Sequence, residues 1–159
     1  MLIATPGEGL ELRLMELRYL PAYHRLSVKN YARLYWLPGE PTLQDSERRI
    51  RTGLAQFVEG GGLDAGIFAG GELRGFVGLF HIDSRFKSAE IGYWVDQEAE
   101  GQGLISRAAA ALLAYAFTEL RLHRIDLKCS ATNARSIRVA ERLGFTLEGR
   151  QRKADEIAG

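Results

Sequence analysis

A polar turn containing two glycines, residues 98–104 (EAEGQGL), lies between an apolar strand pattern at 89–95 and a strong helix pattern at 104–120. Glycines let the backbone approach a ligand without a Cβ clash, and the free amides and positive dipole end of a helix attract phosphate oxygens. The turn is therefore predicted to bind a pyrophosphate. A lone Gly-x-Gly pair is more often a plain strand-to-helix turn, so the surrounding sequence has to decide.

Two familiar nucleotide-binding motifs do not fit this turn. A P-loop places lysine and then serine or threonine after its last glycine, whereas Leu104 and Ile105 follow Gly103. A dinucleotide fingerprint needs a third glycine or alanine three residues further and an acidic residue about 20 residues on, where this chain has Ser106 and Lys128. ATP and NAD are therefore not the expected ligands.

Hydrophobic periodicity predicts an α/β fold with mixed strand directions. Thr42 and Asp45 have capping-box spacing ahead of a helical pattern, two glycines at 70–71 join two strands into a hairpin, and Gly144 closes the last helix. The predicted order is strand, two helices, three strands, helix, strand, helix, strand. The strands are expected at 10–14, 65–69, 73–80, 89–95, 124–129 and from 145, and the helices at 17–37, 42–58, 104–120 and 134–143.

Composition predicts one domain, residues 1–159, because 46% apolar content supplies a single core for a chain of this length. With 21 basic and 20 acidic residues, the net charge of +1 gives no field that attracts nucleic acid or a membrane surface. The single Cys129 and three scattered histidines lack metal-ligand spacing, so no metal is expected. No stretch has the roughly 18 apolar residues of a membrane span or a signal-peptide pattern, which favours the cytoplasm.

Three segments in the same order resemble the Gcn5-related N-acetyltransferase (GNAT) superfamily. Residues 98–103 resemble its [Gln/Arg]-x-x-Gly-x-Gly segment, with Glu98 at the variable first position. Residues 133–136 (NARS) and 141–145 (ERLGF) are similar to its Asn-x-x-[Ala/Ser] and Glu-x-Leu-Gly-Phe segments. Together they are far more specific than any one alone.

Two upstream segments, 90–95 (EIGYWV) and 36–38 (WLP), are similar to the RimL branch, which acetylates the N-terminal serine of a ribosomal protein and other amines. The resemblance extends from residue 10 to about 155. It implies the GNAT fold, a mixed central sheet with splayed fourth and fifth strands flanked by helices. Similar proteins continue into a seventh strand, so we expect a shortened form, a shifted sixth strand, or a partner subunit over the gap, which leaves a homodimer open.

The resemblance implies transfer of the acetyl group of acetyl-CoA to a primary amine by direct attack in a ternary complex. The expected acceptor is a protein or peptide α-amino group. A small amine (amino acid, polyamine or antibiotic) is the alternative, and a non-catalytic acyl-CoA-binding module is a third reading. The pantetheine arm would pair with the fourth strand and the pyrophosphate would lie on the turn. The implied coenzyme-binding residues are Tyr93, Trp94, Val95, Gly101, Gln102, Gly103, Leu104, Ile105, Ser106 and Asn133.

Three residues are the catalytic candidates that this resemblance implies. Glu90 and Asp155 are the acidic groups expected to remove a proton from the amine. Many relatives use a tyrosine as acid where this chain has Ala140, so Ser136 is expected to donate a hydrogen bond to the coenzyme sulfur. The alternatives are structural, because Glu90 suits a solvated strand end, and Ser136 and Asn133 suit a helix cap.

Other reactive or charged side chains have simpler expected roles. Cys129 alternates inward on its predicted strand and is expected to be a buried structural thiol. The arginines at 48, 49 and 51 are expected on a solvated helix face. An aromatic cluster beside the proline loop is expected to pack, with lining of the acceptor groove as its alternative; its members are Tyr31, Tyr35 and Trp36.

Overall fold

A six-stranded sheet forms the centre of the computed structural model, which describes residues 1–5, 7–34 and 36–154. Neighbouring strands follow one another in chain order and pair antiparallel, except that the last two pair parallel. A parallel pair requires a crossover, which one helix provides. The strands are β1 (Leu2–Ala4), β2 (Leu10–Leu14), β3 (Leu63–Ala69), β4 (Glu72–Asp83), β5 (Ser88–Val95) and β6 (Arg124–Leu127).

The helices flank this sheet and begin where local sequence satisfies their first amides. At the start of the second helix, Thr42 Oγ1 accepts from the Asp45 amide at 3.1 Å and the Asp45 carboxylate accepts from the Thr42 amide at 3.0 Å, which confirms the predicted capping box. The helices are α1 (Leu20–Asn30), α2 (Leu43–Glu59), α3 (Leu104–Thr118) and α4 (Ala134–Arg142), with 3-10 turns at Leu17–Tyr19, Tyr31–Arg33 and Gln97–Ala99.

Two apolar clusters cover the two faces of the sheet. On one face α3 packs on the strands, and Leu12, Val77 and Leu112 are fully buried there. On the other face α1 and α2 enclose a second cluster that includes Ile50 and Phe76. With both faces covered, β5 is fixed as an internal strand whose side chains reach both layers.

The parallel pair β5–β6 separates after a few residues. Its ladder runs from Ser88 and Arg124 to Ile91 and Leu127 and stops there, although β5 continues to Val95 against β4. The far half of β5 therefore has a ladder on one side only. This is the splay expected between the predicted fourth and fifth strands.

Three sequence-based expectations about secondary structure are wrong. β1 was not predicted, and it exists because a three-residue segment pairs with β2. Residues 145–150 form no strand, because no described strand lies on the outer edge of β6 to supply ladder partners. β6 ends at Leu127 rather than 129, where its ladder with β5 stops, so the inward alternation ends and Cys129 is exposed instead of buried.

Among the described residues, no helix has both the length and the apolarity to cross a membrane. Those residues also hold no group of three or more histidine, cysteine or acidic side chains arranged to bind a metal ion.

Candidate active site

A cavity of about 380 Å³ opens where β5 and β6 separate. The splay creates it, since the strands no longer hydrogen bond beyond Ile91 and Leu127. Its walls come from β4, β5, the segment after β6, and helices on both faces of the sheet. The described lining residues are Tyr23, Trp36, Arg49, Phe76, Phe80, Ile91, Gly92, Tyr93, Trp94, Leu127, Lys128, Cys129, Asn133 and Ser136.

The glycine turn presents free amides at the start of α3. Gly101 and Gly103 have φ of 75° and 69°, the left-handed region that glycine adopts without steric cost, and an added Cβ at either would have no protein atom within 4 Å. Gly103 caps α3 without a side-chain hydrogen bond. The hydroxyl of Ser106, in the first turn of α3, is buried and has no hydrogen-bond partner.

These features match an oxyanion ligand. The amides at the start of α3 and the unpartnered hydroxyl supply hydrogen-bond donors, and the open space over the two glycines leaves room for the ligand. Gln102, Leu104 and Ile105 complete the segment; Gln102 Nε2 donates to the carbonyl of Glu98 at 3.3 Å, while Leu104 is buried beneath the turn. The residues present therefore fit a pyrophosphate.

Charged side chains hold this turn against α1 and α4. Glu100 pairs with both Arg33, after α1, and Arg135, in α4. The buried Asp96 accepts from Lys29 Nζ at 2.9 Å and from an α1 asparagine. Burial alone would raise the pKa of Asp96, but these two donors lower it below the ordinary value. The turn is thus tied to the fold at both ends.

The free edge of β5 leads from the turn into the cavity. Tyr93, Trp94 and Val95 pair with β4 through one backbone edge, and their other edge lies beyond the end of the β6 ladder. Backbone donors and acceptors on such an edge suit the amide groups of an extended arm. The expected pairing of pantetheine with this strand stays a prediction.

Ser136 and Asn133 lie together at the cavity wall, at the start of α4. Asn133 Oδ1 accepts from the Ser136 amide at 3.1 Å, so the capping role foreseen for Asn133 is confirmed. The Ser136 hydroxyl does not cap the helix. It donates to the Tyr93 hydroxyl at 3.2 Å inside the cavity.

Glu90 does not line the cavity. Lys128 Nζ donates to Glu90 Oε1 at 2.9 Å, and His81 Nδ1 lies 3.4 Å from the same oxygen. The hydrogen bond and charge of Lys128 lower the pKa of Glu90, which makes it a weaker base at neutral pH. The other acidic candidate, Asp155, lies outside the described residues, as does Tyr35.

The arginine at position 49 lines the cavity, so the expectation that it lies on a solvated helix face is wrong. Arg49 forms an ion pair with the buried Asp64 of β3 and lies 5.3 Å over the ring of Phe76. Its neighbours Arg48 and Arg51 instead pair with acids on the surface of α2. The available signal was helical spacing, because Arg49 lies next to the buried positions 46, 50 and 53.

Residues 9–146 match the acetyltransferase (GNAT) domain, and the chain belongs to that family. Its relatives include a putative ribosomal N-acetyltransferase, YdaF, of Bacillus subtilis (strain 168), which is 34% identical over 100% of this chain and 90% of the relative. The ribosomal-protein-serine acetyltransferase of Escherichia coli (strain K12) is 32% identical over 94% of this chain and 86% of its own.

A solved structure of RimL, a ribosomal L7/L12 α-N-protein acetyltransferase, superposes with a TM-score of 0.95 at 29% identity, covering 99% of this chain and 90% of that one. It contains coenzyme A in a disulfide with a cysteine. The chain is an acetyl-CoA-dependent N-acetyltransferase, as the three sequence segments indicated, rather than a binding module without catalysis. The mixed sheet flanked by helices confirms the expected fold class.

Proposed function

We propose that this enzyme acetylates the α-amino group of a protein or peptide N-terminus, by direct attack on acetyl-CoA in a ternary complex. The observation that carries the proposal is the lack of a carboxylate among the described residues that line the cavity. Its described lining residues include two cations, Arg49 and Lys128, and no carboxylate. Because Arg49 is paired with Asp64 and Lys128 with Glu90, the described lining offers no carboxylate that could hold a second positive charge on the acceptor.

The same cavity favours an amine that loses its proton easily. An α-amino group has a pKa of about 7.7–8.0 and a lysine or polyamine amine about 10.4, so at pH 7.5 about a third of the first and about 0.1% of the second is free base. No carboxylate among the described lining residues would raise the pKa of a bound amine. A site without a described carboxylate therefore suits an α-amine.

The coenzyme is proposed to follow the path that the free groups mark. Its pyrophosphate would contact Gly101 to Ser106, and its pantetheine arm would follow the free edge of β5, with the oxyanion on an amide near Trp94 or Val95. The sulfur would lie near Ser136. In RimL the coenzyme is joined to a cysteine by a disulfide, and the cavity of this chain also has a cysteine, Cys129, in its wall.

Glu90 is proposed to hold Lys128 at the rim of the cavity, and water would accept the proton of the amine. Relatives named for ribosomal proteins support an acceptor of that kind, and we place the activity in the cytoplasm, where ribosomes work.

The test measures thiol release from acetyl-CoA with three acceptors. One is a peptide beginning with serine and containing one internal lysine, the second is the same peptide with a blocked N-terminus, and the third is spermidine. We expect kcat/KM at pH 7.5 to be at least about a hundredfold higher for the first, from the free-base fractions above. Comparable rates for the blocked peptide or for spermidine contradict the proposal.

A further inference from the structure

The hydroxyl groups of Tyr93 and Ser136 meet inside the cavity from two distant elements. Tyr93 is in β5 and Ser136 is in α4, 43 residues later, and their oxygens are 3.2 Å apart. The ring of Tyr93 packs against the core cluster beneath α3, so apolar contacts fix the position of the phenol. The pair is therefore a fixed feature of the cavity wall.

We propose that Tyr93 is a positioning residue for the acetyl transfer, because its hydroxyl orients the Ser136 hydroxyl toward the departing coenzyme sulfur. This inference rests on the proposed role of Ser136 beside that sulfur. It assigns a function to the side chain of Tyr93 in addition to the backbone contacts of β5.

The backbone around Ser136 does not fix the direction of its hydroxyl proton. The amide of Ser136 is fixed by Asn133 Oδ1 at 3.1 Å, which places its Cβ, but a serine hydroxyl still rotates and has one proton and two acceptor sites. A neighbouring phenol that donates to Ser136 Oγ occupies one acceptor site and turns the serine proton away from itself. The proton is then aimed at a third group in the cavity.

Burial keeps the phenol in its donating form. Desolvation raises the pKa of Tyr93, so its hydroxyl stays protonated at neutral pH. In the structure the serine donates to the phenol, and either hydroxyl can rotate to take the donor role. The two hydroxyls exchange donor and acceptor roles when an anionic sulfur becomes the best acceptor.

The reaction step balances without an added reagent. The amine nitrogen forms the new C–N bond, the C–S bond breaks, and its electron pair leaves on sulfur as a thiolate. The proton lost by nitrogen equals the one that the thiolate finally takes up through water. Ser136 stabilises the thiolate by a hydrogen bond while this happens, and Tyr93 holds Ser136 in the donating rotamer.

The test compares Tyr93→Phe, Ser136→Ala and the double variant. Phenylalanine keeps the packed ring and removes only the hydroxyl. Each single variant should lower kcat at least about tenfold, the worth of one hydrogen bond to a charged group, with KM for acetyl-CoA and the thermal midpoint almost unchanged. The double variant should be no slower than the slower single variant, since the hydroxyls act as one unit.

Tyr115→Phe is the matched control, because Tyr115 packs against the same core cluster but does not line the cavity, and it should leave kcat unchanged. Wild-type turnover in Tyr93→Phe overturns the inference. A double variant whose kcat falls by the product of the two single fold-reductions also overturns it, because the two hydroxyls would then act independently. Wild-type turnover in Ser136→Ala overturns it together with the sulfur contact of Ser136. The acceptor proposal is judged separately, by the peptide and spermidine comparison with the unmodified enzyme.

Discussion

Replacing Gly103 with valine should weaken coenzyme binding through the backbone rather than through a clash. Gly103 has φ of 69°, and an added Cβ would meet no protein atom within 4 Å. An L-residue in the left-handed region costs roughly 1–2 kcal/mol, and a β-branched one is a still rarer occupant. If the turn relaxes to another conformation to avoid this cost, coenzyme binding has to restore the left-handed conformation. The same free energy is then lost from binding, so the Kd for coenzyme A should rise about 5- to 30-fold.

The matched control is Gly60→Val. Gly60 caps α2 with φ of 75° and also has no atom within 4 Å of an added Cβ. It precedes β3, whose start lies at the opposite end of the sheet from the end of β5, because β3 and β5 both run antiparallel to β4. Both variants should therefore lose similar stability, and only Gly103→Val should lose affinity.

Isothermal titration calorimetry with coenzyme A gives the affinity, and thermal unfolding gives the stability of each variant. An unchanged Kd for Gly103→Val would refute the assignment of the pyrophosphate to this turn. Equal losses of affinity in both variants would refute the backbone argument, since general destabilisation would then explain the effect.

Gly53→Ala should lower the free energy of unfolding by about 2 kcal/mol or more, because an added Cβ would lie 2.2 Å from Oδ2 of the buried Asp64. Alanine ordinarily stabilises a helix by about 1 kcal/mol relative to glycine, so urea unfolding that shows a stabilised variant contradicts this. Asp96→Asn should destabilise at pH 7. Since Lys29 lowers the pKa of Asp96, the difference from wild type should vanish as pH falls below 3.8 through the folded pKa, and a difference that persists in acid unfolding contradicts this. Glu90→Gln should lower kcat by less than about tenfold, and a loss near a thousandfold would identify Glu90 as the base.

The features that the sequence predicted depend either on residues close together in the chain or on the resemblance to GNAT segments. The capping box at Thr42 and the left-handed glycines after β5 follow from residue types within a few positions of one another. The splay was expected from the resemblance alone, because no local pattern indicates where a ladder stops.

The missed parts depend on long-range packing. Arg49 is one of three arginines within four residues, and only the contact with Asp64 distinguishes it from the exposed two. The contact between Tyr93 and Ser136 joins residues 43 positions apart, so no spacing rule could predict it. β1 is too short for a periodicity signal and is defined by its pairing with β2.

On the proposed coenzyme path, the chain between Tyr93 and Gly103 sets the distance that the acyl donor has to span. One continuous segment of ten peptide steps separates the hydroxyl pair from the amides that are proposed to contact the pyrophosphate. Ion pairs of Asp96 and Glu100 tie this segment to α1, to Arg33 after α1, and to α4. If the coenzyme follows the proposed path, a donor contacts both ends only when its arm has the matching length, and a thioester on a shorter arm would contact one end only.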